Sequence, residues 1–217
     1  MKKKKDDRKK WILIALAIIL IVFVVLVIAE NETQFVWELQ VEKPAVYLYP
    51  ETDSHIQVTI DTAGRIIEDI PEYNGGWNVF VTTEGLIEQK YDYLFYEVQL
   101  NSIDLPEQGW VVSQDELNGW FDTNLIAMGM NQKEKDQFKE YWLERLEGSA
   151  YYEIKLLDDT FLEENMNLII DPQPDTIIRL DFHFRRLDNT IEIEEPEIMT
   201  PERNGFIVVE WGGILEN

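Results

Sequence analysis

The chain of 217 residues carries 42 acidic against 19 basic side chains, a formal net charge of −23, with 45% apolar residues and no cysteine. That apolar share can fill a core and excludes wholesale disorder, while the missing cysteine excludes a disulfide scaffold. The acidic excess excludes a body that binds nucleic acid, which needs clustered Lys and Arg at the phosphates.

The charge is unevenly placed. Met1 to Lys10 holds seven Lys/Arg against two Asp, a charge of +5, which leaves −28 on the rest. Trp11 to Ala29 follows as 19 residues without a charge, a proline or a glycine. As a helix it is about 28 Å long, close to the hydrocarbon thickness of a bilayer. It reads as a single transmembrane helix through which the chain partners the lipid bilayer, and the basic residues before it place the N-terminus in the cytoplasm. Residues 1–10 are then a basic cytoplasmic tail, 11–29 the span, 30–42 a stalk and 43–217 an exported acidic domain. A cleaved secretory signal ending at Val27-Ile28-Ala29 is the rival, although such apolar regions usually run about 7 to 15 residues. Both readings export the domain and put it outside the cell membrane. Asn31-Glu32-Thr33 fits a glycosylation sequon.

Strand signals dominate to about residue 112. Ala45 to Tyr49, His55 to Ile60 and Arg65 to Ile70 are short runs separated by turn residues, and Asn74-Gly75-Gly76 leads into an alternating stretch from Trp77 to Val81. Tyr91 to Leu100 and Gly109 to Val112 are further strands. Ser113 and Glu116 have the spacing of a capping box, followed by Leu117, Trp120, Phe121, Leu125 and Met128 at helical intervals up to Gly129. A second helix opens at Asn131 with Glu134 three residues on, buries Phe138, Trp142 and Leu146, and stops at Gly148. Tyr151 to Leu157, Met166 to Ile170 and Thr176 to Leu187 return to strands. In the last of these, Ile178, Leu180, Phe182 and Phe184 alternate with Arg179, Asp181, His183 and Arg185, the pattern of a sheet with one solvated face. An acidic connector with Glu192, Glu194, Glu195 and Glu197 leads to a final strand, Gly205 to Gly213. The expected fold is α+β: an N-terminal transmembrane helix, then one mainly antiparallel β domain carrying a pair of amphipathic helices.

The run Lys43-Pro44-Ala45-Val46-Tyr47-Leu48-Tyr49-Pro50 resembles the Lys-Pro-x-x-Tyr-Leu-Tyr-Pro strand that opens an uncharacterised family of microbes and their viruses. Gly76-Trp77-Asn78-Val79 with Gly85, and Tyr93-Leu94-Phe95-Tyr96-Glu97, are similar to that family's Gly-Trp hairpin and its Tyr-Leu-Tyr-Trp-Glu strand, from which Phe95-Tyr96 departs. Pro201-Glu202-Arg203 and Gly205 to Gly213 resemble its closing motif. The resemblance covers residues 43 to 213 and implies no activity, cofactor or catalytic residue.

Glu97 and Glu210 each interrupt a strongly apolar strand, and a carboxylate buried without partners costs several kcal/mol. They are either a pair of site carboxylates, as a glycoside-cleaving enzyme uses, or exposed or structurally paired with Lys43 or an Arg. His183 beside Asp181 is a candidate general base or a surface histidine. With two histidines and no cysteine no zinc site is expected. The serines show no nucleophile context, and no calcium loop occurs. No metal or cofactor is expected. Tyr47, Tyr49, Trp77, Tyr93 and Trp211, with Tyr91, are candidates for stacking on a sugar or peptide, or for the core. A field of −28 repels nucleic acid and anionic lipid headgroups. The reading is a membrane-anchored extracytoplasmic binding or interaction domain for a glycan or protein ligand. Its alternatives are a carboxylate-dependent hydrolase acting on a polymer and a structural accessory subunit of a membrane complex. The sequence leaves the oligomeric state open.

Overall fold

The structure, a computed structural model, describes residues 39–216. Ten strands and three helices follow in the order β1 (Leu39–Tyr49), β2 (Ser54–Thr62), β3 (Arg65–Ile70), β4 (Trp77–Val81), β5 (Leu94–Leu100), β6 (Trp110–Ser113), α1 (Leu117–Ala127), α2 (Gln132–Arg145), β7 (Tyr151–Leu156), α3 (Asp159–Asn165), β8 (Met166–Asp171), β9 (Thr176–Leu187) and β10 (Ile207–Glu216). Seven strands form one sheet in the order β3-β5-β1-β10-β9-β7-β6, and three form another in the order β4-β2-β8.

The large sheet is the middle of three layers. One face packs on α1 and α2 through a core that includes Tyr47, Phe121, Phe138, Trp142, Phe182, Phe184 and Trp211. The other face packs on the three-stranded sheet and α3 through Val46, Leu48, Tyr96, Val208, Ile56, Val58, Trp77 and Leu162. The strand patterns follow from this layering. β2 buries Ile56, Val58 and Ile60 and exposes His55 and Gln57, as an outer strand does, whereas β9 is buried continuously from Leu180 to Phe184 and β10 from Val208 to Ile214.

The expected α+β fold is corrected here. Strands take 44% of the described residues and helices 18%, so sheet dominates. The main sheet is mixed, because β9 and β10 run parallel from Ile207↔Thr176 to Glu216↔Arg185. Hydrophobic period reports which face a residue takes and is silent on strand direction, so the junction escaped the sequence. Parallel neighbours need a crossover, and the acidic connector is part of it. Gly109 N–H donates to Glu194 O at 3.0 Å, and Arg203 donates to Gly129 O at 2.7 Å in the turn between α1 and α2. No helix among the described residues is long and apolar enough to cross a membrane. The span expected at 11–29, the basic tail, the sequon at Asn31 and most of the stalk lie outside the described residues. Residues 39–42 of the expected stalk are already strand β1.

Local expectations divide. Asn131 caps α2 as its spacing predicts: it accepts from Glu134 N–H at 3.0 Å while Glu134 accepts from Asn131 N–H at 2.7 Å. Ser113 does not cap α1; it ends β6, and its hydroxyl donates to Glu116 Oε2 at 2.6 Å beside a turn. Helix α3 was not foreseen, since seven residues are too short to show a period, although Asp158 accepts from Phe161 N–H at its start.

The opening and closing motifs are hydrogen-bonded neighbours, with Val46 opposite Glu210 and Ala45 opposite Trp211. β1 loses register between Glu42 and Ala45 against β10, and between Val41 and Ala45 against β5. Pro44 cannot donate to a ladder, and Lys43 sits in the bulge with φ 59°. At Gly212 a Cβ would come within 2.6 Å of Asp181 Oδ1, and at Gly213 within 2.8 Å of Trp142 Cζ2. The two glycines let β9 and α2 approach β10.

Candidate functional site

An open cleft of about 470 Å³ lies where the β1 bulge, β5, the edge strand β3 and α2 meet. α2 contributes Gln137, Tyr141 and Arg145, whose four-residue spacing places them on one helix face. β5 contributes Tyr93's neighbour Phe95 and Glu97, the turn before it contributes Lys90, Tyr91, Asp92 and Tyr93, and β3 contributes Glu68 and Ile70.

The bulge swings Lys43 over the rings that line this cleft. Its ammonium lies 4.3 Å from the Phe95 ring centre, 4.7 Å from that of Tyr93 and 5.9 Å from that of Tyr141. Arg145 stacks 3.6 Å from the Tyr141 ring centre and donates from Nε to Glu42 Oε2 at 3.0 Å, the oxygen that also accepts from the Tyr141 hydroxyl at 3.0 Å. Burial, with Glu42 beside it, pushes the Tyr141 hydroxyl far above its usual range.

Glu97 sits in the cleft wall, 9% exposed. It accepts from Gln40 Nε2. Burial raises its carboxyl above the usual carboxylate range; Gln40 opposes this, and the nearby carboxylates of Glu68 and Glu42 add to it. Glu68 lies directly opposite Glu97 in the β3–β5 register, a like-charge pairing that a sheet tolerates poorly without a partner.

Glu210 is on the opposite face of the sheet. Its Oε1 accepts from the Tyr96 hydroxyl at 2.6 Å and its Oε2 from Arg179 Nε, whose Nη2 also donates to Met166 O at 2.7 Å. Tyr96 and Glu97 are successive residues of one strand and therefore point to opposite faces. Glu97 and Glu210 cannot flank one substrate.

Asp181 and His183 correct the expectation of a solvated face. The strand that carries them lies inside the sheet and is covered on both sides, leaving Asp181 0% and His183 2% exposed. Both Asp181 oxygens lack a hydrogen-bond partner among the described residues. Burial pushes its carboxyl up to about 8, Glu210 adding to the rise and Arg179 opposing it. His183 Nε2 is 3.3 Å from Glu216 Oε2, and burial lowers its imidazole.

The candidate aromatics split the same way. Tyr47 and Trp211 are fully buried, and Tyr93 carries their stack to the cleft, 5.2 Å from Tyr47 and 6.4 Å from Trp211 between ring centres. Tyr49 stacks behind Tyr47 and accepts from Asn131 Nδ2. Trp77 belongs to the other core, its indole N–H donating to Pro71 O at 2.6 Å. Sequence reasoning missed Tyr141 and Arg145, which a Gln137-Tyr141-Arg145 stripe could have shown, and had Lys43 within a motif and as a partner for Glu97 or Glu210, whereas its ammonium lies over rings. No group of three or more His, Asp or Glu able to hold a metal ion occurs among the described residues.

The chain is 44% identical over 61 residues to a protein of Butyrivibrio fibrisolvens described as "Uncharacterized protein in bglA 3'region". The match covers 25% of this chain and 64% of that protein, so the chain spans less than two thirds of the relative's length. No family model matches the chain, and no solved structure matches it.

Proposed function

We propose that this chain is an extracytoplasmic binding domain, attached to the membrane through residues 11–29, that holds a glycan in the cleft between α2 and β5. The observation that carries this reading is the composition of the accessible site: half-buried rings at Tyr91, Tyr93 and Tyr141 beside hydrogen-bonding groups on Gln137, Glu97 and Lys43. A sugar ring offers a flat C–H face to an aromatic ring and hydroxyls to polar side chains, so this lining suits it. The location rests on the +5 charge ahead of the apolar stretch.

A second reading is favoured by one feature of the same cleft. Glu68 and Glu97 face each other across two strands, and Glu97 is the more buried of the two and has its pKa raised. A carboxylate pair of unequal environment is what a glycoside hydrolase uses as acid and nucleophile.

Calorimetric titration of the full chain in detergent with a panel of neutral and acidic oligosaccharides tests both. Saturable binding that weakens in Gln137→Ala, with the oligosaccharide recovered intact, is the expected result. New reducing ends that disappear in Glu97→Gln would replace the binding reading by the hydrolase, and heat from none of the panel would overturn both.

A further inference from the structure

We propose that Lys43 is an anion anchor and that the glycan held in this cleft is an acidic one, whose sugar units carry carboxylates; this rests on the binding-domain reading. Lys133, Lys135, Lys139 and Lys155 each have a carboxylate within 4.0 Å, and Lys90 donates to the Tyr91 hydroxyl at 2.7 Å. The Lys43 ammonium has neither among the described residues; its contacts are the faces of Phe95, Tyr93 and Tyr141. In a body with a charge of −28, Lys43 is thus set apart from Lys133, Lys135, Lys139 and Lys155 by having no acid, and from Lys90 by having no hydroxyl, on its ammonium among the described residues.

Its placement is built rather than accidental. A non-glycine residue at φ 59° carries backbone strain of roughly 1 kcal/mol or more. The bulge that imposes it breaks the register of β1 against both β10 and β5. Beside it, Gln40 occupies one oxygen of Glu97. The rings attract the ammonium through their faces but accept none of its three N–H donors as an oxygen would. Those donors are available to a ligand oxygen in the cleft.

The acidic body then restricts the anion. A free anion is repelled by the long-range field, so one that reaches Lys43 must arrive on a molecule that binds by other contacts as well. The rings and Gln137 supply those contacts for a sugar. A peptide would need strand pairing along an edge or a series of side-chain pockets, and the edge strand β3 lends this cleft only Glu68 and Ile70.

The test is calorimetry on the full chain in detergent, comparing a tetramer of glucuronic acid with the matching tetramer of glucose. The uronic tetramer is expected to bind at least tenfold more tightly. That ratio is expected to fall below threefold in Lys43→Gln and to be retained in Lys43→Arg. Equal affinities in the unmutated chain, or a preference that survives Lys43→Gln, would overturn the anchor while leaving glycan binding intact. Binding of neither tetramer would remove the anchor together with the reading it rests on. A glutamate tetramer that displaces the uronic one with equal affinity would make the ligand a peptide instead. Should Lys43→Gln fail to fold, loss of the tenfold preference in 0.5 M salt with the unmutated chain is the expected result, and an unchanged preference there counts against the anchor.

Discussion

The two faces of the seven-stranded sheet each gather acids beside a base, with opposite results. On the helix side, Glu97, Glu68 and Lys43 border an open cleft, and the base touches rings rather than acids. On the other side, Glu210 and Asp181 are fully buried between two sheets, and Arg179, its side chain 9% exposed, is locked to one acid with a tyrosine hydroxyl on that acid's second oxygen. The lesson is that the same residue types become structure where water is excluded and a site where it is admitted. Geometry within the strand does not decide this; the layer placed over the strand does.

The sealed side is expected to give the largest effect. Arg179→Met leaves Glu210 buried with no cation, and the Met166 carbonyl without its donor. Removing one partner of a buried pair costs about 3–5 kcal/mol, and urea unfolding should show a loss of that order. Glu210→Gln is expected to cost less, because Asp181 stands close enough to its register partner Gly212 and to Arg179 to supply the negative charge. A loss under about 1 kcal/mol in Arg179→Met would mean that water reaches this cluster and the contrast between the faces is false.

Asp181 sharpens the contrast through pH. Unfolded, its carboxyl titrates near 4; folded, burial among Glu210, Arg179, Tyr96 and the apolar layer holds it at about 8. Between those values the folded state keeps a proton that the unfolded state releases. Stability from this group is therefore complete below about pH 4 and falls by up to about 1.4 kcal/mol per pH unit until pH passes 8. Asp181→Asn removes the dependence, so its melting temperature relative to the unmutated protein should climb between pH 5 and pH 8 and level off above. A gap that stays constant over that range would mean the carboxyl is already ionised when folded.

Much of this architecture was legible in the residues. The Asn131–Glu134 capping box named the start of α2, the alternation from Trp77 to Val81 named β4, and Glu97 and Glu210 stood out as acids in apolar strands. What stayed hidden depends on third dimensions. The alternation of Arg179, Asp181 and His183 looked solvated because period 2 separates faces but cannot say what covers them. Arg179 could not be matched to Glu210 until the parallel pairing of β9 with β10 set them side by side. The spacing of Gln137, Tyr141 and Arg145 could show one helix face but not the cleft it borders, because that cleft needs β1 to bulge toward the helix, and the Lys43-Pro44 step at the bulge was read as part of a strand.

Glu97→Gln should give the smallest effect and the finest test. Its raised carboxyl has the same sign as that of Asp181, so the substitution should again be neutral at acid pH and mildly stabilising as the carboxylate would ionise. Glu97 borders an open cleft, however, and accepts a hydrogen bond from Gln40 where Asp181 accepts none. A change of no more than about 1 kcal/mol is expected at pH 7, read as a shift of a few degrees at most in thermal unfolding. If the shift instead matched that of Asp181→Asn across pH 5 to 8, Glu97 would be as dry as the sealed cluster. The cleft would then be closed in solution, and a ligand could reach Lys43 only after α2 or the β1 bulge moved.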